Sequence, residues 1–189
     1  MSNGSTFKDS ASVYGWTSIL LHWLTAAIII TLWFLGKSIS SVGSDAVDAR
    51  RALHVSIAAS AWLLLLIRII WRLRSGHPRV RGQSNVIHHI AATTHYAMLA
   101  LLVVMLLSGP FLVWSRGHAV SLFALMSIPS PVAESETLHD IAWSLHSSAA
   151  LVLLILILFH LGGALKHLMF HSDDTIVRML WPGCSRDTT

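Results

Sequence analysis

The sequence predicts an all-α protein, a transmembrane four-helix bundle. Three observations carry this. Of 189 residues, 54% are hydrophobic and 12% are charged, about half the charged share of soluble domains, and the mean hydropathy is +0.64. The apolar residues gather in four runs, each about as long as the roughly 20 residues that cross a bilayer as helix. Twelve histidines occur in a chain that otherwise avoids polar groups. This composition excludes a disordered chain and a nucleic-acid module built on a basic face. It also argues strongly against a soluble globular domain. The net charge of +4 reads as membrane orientation rather than nucleic-acid binding. The single cysteine, Cys184, has neither a disulfide partner within the chain nor metal-site spacing.

The four predicted spans, within a single membrane domain of residues 1–189, are taken in order. Residues 16–36 read WTSILLHWLTAAIIITLWFLG. This run is too long for a signal peptide, and no small-residue cleavage site follows it. Residues 52–71 read ALHVSIAASAWLLLLIRIIW, residues 95–114 read HYAMLALLVVMLLSGPFLVW, and residues 141–165 read IAWSLHSSAALVLLILILFHLGGAL. Backbone groups in hydrocarbon must be satisfied within each segment, so helices are expected. Trp16, Trp33, Trp71, Trp114 and Trp143 fall near predicted ends, as in an interfacial aromatic belt. Trp23 and Trp62 lie deeper and must pack in the bundle or against lipid.

Basic residues orient the bundle. Lys8, the linker residues Arg72, Arg74, Arg79 and Arg81, and Lys166, Arg178 and Arg186 share one side of an even number of spans. Lys37, Arg50, Arg51 and Arg116 lie on the other, offset by Asp45, Asp48, Glu134, Glu136 and Asp140. The positive-inside rule then puts both termini in the cytoplasm of a multi-pass protein. The longest outer loop, residues 115–140, contains HAVSLFALM, expected as a short interfacial helix.

Ionisable residues inside a membrane are costly and usually functional. His22, His54, His146 and His160 lie within spans. From the helical rise, His22 is about 9 Å from the inner end of its span and His54 lies near the outer start of the second. His146 is about 8 Å in from outside, and His160 is about 21 Å deeper on the same helix. The fourteen residues between His146 and His160 make nearly four turns, so both share a face. The depths sort into an outer pair, His54 with His146, and an inner pair, His22 with His160. Two pairs of imidazoles on facing helices suit axial ligation of two stacked haems, and bis-histidine ligation leaves no open position. Such cofactors sit in bundle cores. Ser56, Ala58, Ala59 and Ser60 beyond His54, and Ser147, Ser148, Ala149 and Ala150 beyond His146, leave room for a macrocycle or simply permit close helix packing. Gly109 either leaves room at the outer level or, preceding Pro110, marks a kink.

Arg68 lies fourteen residues after His54, on the same face but at the inner level. It either snorkels to the interface or, buried, needs an anion. No acidic residue lies in the spans except Asp140 at the opposite boundary, so a haem propionate is the candidate. His88, His89 and His95 cluster at the inner start of the third span, as interfacial residues or, for His95, as a partner of haem or quinone. His77, His118, His139 and His171 are expected to be solvated.

The "LHWL" around His22, the "LHVSIAASAWLLLLIRIIWRL" of the second span, the "WSRG" ending the third and the "LHSSAALVLLILILFHLGGALKHLMFHSDDTIVRML" of the fourth together resemble the bacterial cytochrome b561 family. The resemblance runs from about Tyr14 to Pro182. It implies a four-helix inner-membrane protein with two non-covalent haem b groups, and the chain has no C-x-x-C-H attachment motif. By resemblance, His22 and His160 correspond to ligands of the cytoplasmic-side haem, and His54 and His146 to ligands of the periplasmic-side haem. One member type is a superoxide oxidase, passing electrons from periplasmic superoxide through both haems to ubiquinone. Lys37, Arg50, Arg51 and Arg116 then either steer that anion to the outer haem or belong to a solvated loop whose acids weaken the field. His167, beside Lys166, resembles a family position near the quinone, whereas an aromatic family position is occupied here by His171. Two rivals stand beside this expectation. One is a cytochrome b subunit relaying electrons between a periplasmic redox partner and the quinone pool. The other is a histidine-based metal-ion transporter, which would be expected to carry intramembrane carboxylates.

Overall fold

A computed structural model describes residues 7–10, 13–75, 85–166, 168–169 and 176–182, with residues 44 and 45 described by backbone alone. Four long helices dominate: α1 (Trp16–Ile39), α2 (Ser44–Ser75), α3 (Asn85–Trp114) and α4 (Glu136–Lys166). Each is long and apolar enough to cross a membrane, and only 11% to 22% of each apolar window is buried. The exposed remainder, including Leu63 at 62% and Phe159 at 74%, is apolar surface that only lipid solvates well. The all-α transmembrane four-helix class read from composition is therefore the observed one.

The helices overrun the apolar runs at their polar ends. α2 starts eight residues, α3 ten and α4 five before the predicted spans. An apolar run marks what hydrocarbon covers, whereas the intrahelical hydrogen-bond ladder continues wherever water solvates the side chains. Arg72 and Arg74 therefore belong to α2 rather than to a linker. α3 runs through Pro110, as membrane helices tolerate when neighbouring groups satisfy the freed carbonyl.

The chain divides into two compact units. The first comprises residues 1–24, 67–99 and 153–189, and the second comprises residues 25–66 and 100–152. Each contains a segment of all four helices. The core of the first includes Ser18, Ile19, Ile69, Arg72, Leu99 and Leu153. The core of the second includes Ala61, Leu65, Leu102, Leu106, Ala142 and Ala149.

Two local structures lie outside the helices. In the first unit, the segment before α1 folds back so that Asp9 accepts hydrogen bonds from Gly15 N–H (2.8 Å) and Ser18 Oγ–H (2.6 Å). Only glycine fits at position 15, since a Cβ there would stand 2.5 Å from the Phe7 carbonyl oxygen. In the second unit, the stretch expected as an interfacial helix is a β-hairpin. β1 (Val120–Leu122) pairs antiparallel with β2 (Met126–Ile128). Two contacts override helix. Phe123 N–H donates to Ser56 Oγ (3.1 Å), and Ser56 Oγ–H donates to the Ser121 carbonyl (3.2 Å). A single α2 serine thus satisfies two loop backbone groups, and Ser56 serves the hairpin rather than clearing space for a macrocycle.

Candidate functional site

α1 and α4 bring His22 and His160 together in the first unit, with ring centroids 6.1 Å apart. α2 and α4 bring His54 and His146 together in the second, with centroids 6.4 Å apart. The pairs foreseen from helical depth are the pairs that meet. The separations are informative. A metal between two imidazoles, with bonds of about 2.0–2.1 Å and a centroid-to-nitrogen distance of about 1.15 Å, holds the centroids about 6.3–6.5 Å apart. Both pairs lie at or near that spacing. A third histidine contact differs: His95 Nε2 is 3.2 Å from His160 Nδ1, with centroids at 5.1 Å. That is a hydrogen bond, with no room for a metal between the rings. His95, taken from sequence as interfacial or as a partner of haem or quinone, is hydrogen-bonded through Nε2 to a paired histidine.

The pairs are two-membered. Among the described residues, no group of three or more His, Cys, Asp or Glu could hold a metal ion. A metal between two imidazoles would take its remaining ligands from elsewhere, and a porphyrin supplies four nitrogens in the plane between axial bases. Glycines, rather than larger side chains, stand against the rings of the second unit. A Cβ on Gly36 would lie 3.4 Å from His54 Cε1, and one on Gly109 would lie 3.6 Å from His146 Cε1. Any larger side chain at either position would crowd an imidazole. From sequence, Gly109 reads as either a space-making residue or a kink before Pro110, and Gly36 only as the end of a span; the structure puts each against an imidazole.

Arg68 meets the other requirement of a haem. Its Nη1 is buried and has no hydrogen-bond partner, and it lies near His22 and Arg72. Asp9 acts on Arg68 through space but leaves Nη1 without a hydrogen bond, and a carboxylate-bearing cofactor beside His22 would supply an anion in contact. Arg72, by contrast, has its own acid. Asp9 Oδ2 lies 3.7 Å from Arg72 Nη1, and both side chains are buried. Arg72 also donates to Tyr14 Oη (3.3 Å) and lies 5.2 Å over the Tyr14 ring, which Arg178 approaches at 5.6 Å. From sequence, Arg72 and Arg178 count among the positive charges that orient the bundle. Both are buried, because the segments flanking the helices fold over them.

Other site candidates divide. Lys37, Arg50, Arg51 and Arg116 all belong to the second unit and are exposed. Arg50 donates to Ser38 Oγ (3.1 Å), and Arg51 is ion-paired with Asp48 at 2.7 Å. Arg116 lines a cavity of about 310 Å³ with Glu134, Glu136 and His139. His139, expected to be solvated, is also 3.2 Å from Ser115 Oγ. His167 and His171, with Arg79, Arg81, Arg186 and His77, lie outside the described residues. Ser108, a lone hydroxyl in the apolar run LLSGPFL, went unnoticed in sequence. Its Oγ is 3.1 Å from His146 Nδ1.

Comparison with known proteins adds the final observation. The family model for prokaryotic cytochrome b561 matches residues 13–182. Cytochrome b561 homolog 2 of Escherichia coli (strain K12) is 30% identical over 178 residues, covering 93% of this chain and 95% of that protein. Cytochrome b561 homolog 1 of the same organism is 27% identical over 173 residues, covering 87% and 94%. With its membrane-spanning helices and paired intramembrane imidazoles, the chain belongs to the prokaryotic cytochrome b561 family, membrane electron-transfer proteins that carry b-type haem.

Proposed function

We propose that the protein is a dihaem superoxide:ubiquinone oxidoreductase of the bacterial inner membrane, acting as one membrane domain. His22 and His160 hold one haem b in the first unit, and His54 and His146 hold the second in the other. The observation that carries the dihaem reading is the recurrence of one imidazole pair per unit at 6.1 and 6.4 Å. When bound, haem supplies reversible one-electron chemistry. The chain's residues do the rest. With both imidazoles of a pair given to one iron, no position would remain for oxygen, so the bound group would serve electron transfer. Arg68 neutralises a propionate carboxylate. Lipid and the apolar helix faces exclude water.

By the positive-inside rule, Lys8, Arg74 and Lys166 face the cytoplasm together with both termini, and the loop cations Lys37, Arg50, Arg51 and Arg116 face the periplasm. There Lys37 and Arg50 are the cations that steer an anion best, since Asp48 offsets Arg51 and two glutamates accompany Arg116. In the overall reaction two superoxide anions become two dioxygen molecules, and their two electrons with two protons convert ubiquinone to ubiquinol. His95 and His167 were the two quinone candidates. His95, bonded through Nε2 to His160, and His167 beside Lys166 remain the proposed quinone contacts, with His167 the proposed proton donor.

A second reading has an observation in its favour. Arg51, ion-paired with Asp48, and Arg116, which shares its cavity with two glutamates, contribute a weakened field at the proposed periplasmic end, while the hairpin tip exposes Phe123 and Leu125, the latter at 90%. A periplasmic redox protein docking on such a surface would replace superoxide as donor. Stopped-flow mixing separates the two. Superoxide added to the oxidised holoprotein with ubiquinone should give a reduced b-type spectrum and ubiquinol. Haems that stay oxidised would remove superoxide and leave the relay reading standing. The transporter rival is set aside by family membership.

A further inference from the structure

We infer that Ser108 and His95 are positioning residues that fix the ligating tautomers of His146 and His160. The inference rests on the dihaem reading above. A neutral imidazole can bind a metal through Nε2 only if its proton sits on Nδ1. What Nδ1 faces therefore decides whether the ligand is ready.

At His146 the assignment follows from counting protons. A serine hydroxyl has one proton, and that of Ser108 goes to the Val104 carbonyl at 2.7 Å. Facing His146 Nδ1 at 3.1 Å, the Ser108 oxygen has only lone pairs to offer. The contact is a hydrogen bond only if Nδ1 carries the proton, which frees the Nε2 lone pair. The bond that back-binds Ser108 to its own helix is thus the one that sets the tautomer of a histidine on α4.

At His160 the acceptor is another imidazole. His95 Nε2 and His160 Nδ1, at 3.2 Å, share one proton between them. If it belonged to His95, neutral His160 would carry its own proton on Nε2 and could not ligate. If it belongs to His160 Nδ1, then Nε2 is free and His95 accepts. Ligation selects the second arrangement. The acceptors differ, a hydroxyl in one unit and a more basic imidazole nitrogen in the other. Each makes its ligand more electron-donating, which favours ferric iron and lowers the potential.

The test is spectroelectrochemical titration of the purified holoprotein, with the His54→Ala and His160→Ala variants assigning each haem signal. Ser108→Ala should raise the potential of the second-unit haem and weaken its binding by about 10- to 100-fold, leaving the first-unit haem unmoved. His95→Leu should do the reverse. Ser108→Thr and His95→Gln, which keep an acceptor, should restore both values. Ser108→Ala or His95→Leu protein with two haems at unchanged potentials and unchanged ferric resonance spectra would overturn the inference. So would equal movement of both haems in either variant. Wild-type protein that binds no haem at these histidines would instead bring down the ligand reading, and the inference with it.

Discussion

Gly36 and Gly109 each lie against an imidazole of the second unit, where an added Cβ would stand 3.4 and 3.6 Å from the ring. Alanine at either position makes ordinary contact, whereas leucine must displace the ring or whatever lies beside it. Gly36→Leu and Gly109→Leu should therefore lower haem content in the second unit and spare the first, as measured by haem per chain and by the ferric spectra of the two sites. Arg68 acts by charge. Its buried, unpartnered Nη1 stabilises negative charge nearby, including an added electron. Arg68→Gln should lower the potential of the first-unit haem in a redox titration. Asp9 illustrates the cost of removing an anion. Its carboxylate accepts two hydrogen bonds and faces Arg72, both side chains being buried. Asp9→Ala should cost about 3–5 kcal/mol, read as a lowered unfolding temperature in detergent.

The hairpin shows how one contact decides an element. Its turn places Phe123 and Ala124 at φ of 48° and 60°, where side chains are unfavourable and Asn-Gly pairs are the norm. The Leu125 N–H to Leu122 carbonyl bond at 2.9 Å and the two bonds from Ser56 hold it there. Ser56→Ala should loosen the loop by about 1–3 kcal/mol, visible as faster amide exchange at Phe123. Ala124→Gly should slow exchange in the same loop by relieving the left-handed residue. The four helices needed no such help. Their apolar runs are long enough that burial in lipid and an internal hydrogen-bond ladder select helix together, which is why all four were legible in the sequence. Only their polar extensions were not.

In the whole molecule, two compact units each contain segments of four helices and one imidazole pair. His160→Ala and His54→Ala should each retain about one haem per chain, from different units. Retention of two in either would refute the pairing. The pairs were legible because helical rise is uniform: counting residues from a span's end gives depth, and depth alone matched His54 with His146 and His22 with His160. What completes each pair was not legible. Ser108 meets His146, His95 meets His160, and Gly36 meets His54 through the rotation of neighbouring helices about their axes, which counting along one chain segment does not report. The Asp9–Arg72 pair joins residues 63 positions apart, and a basic residue beside a span looks the same in sequence whether water or an acid receives it. Hydrophobic length and helical periodicity thus settle the class, the spans and the level of each histidine, because these are properties of single segments in lipid. The partners of buried polar groups are settled only when segments pack, because hydrogen bonds and ion pairs are short-ranged and depend on which side chains face one another.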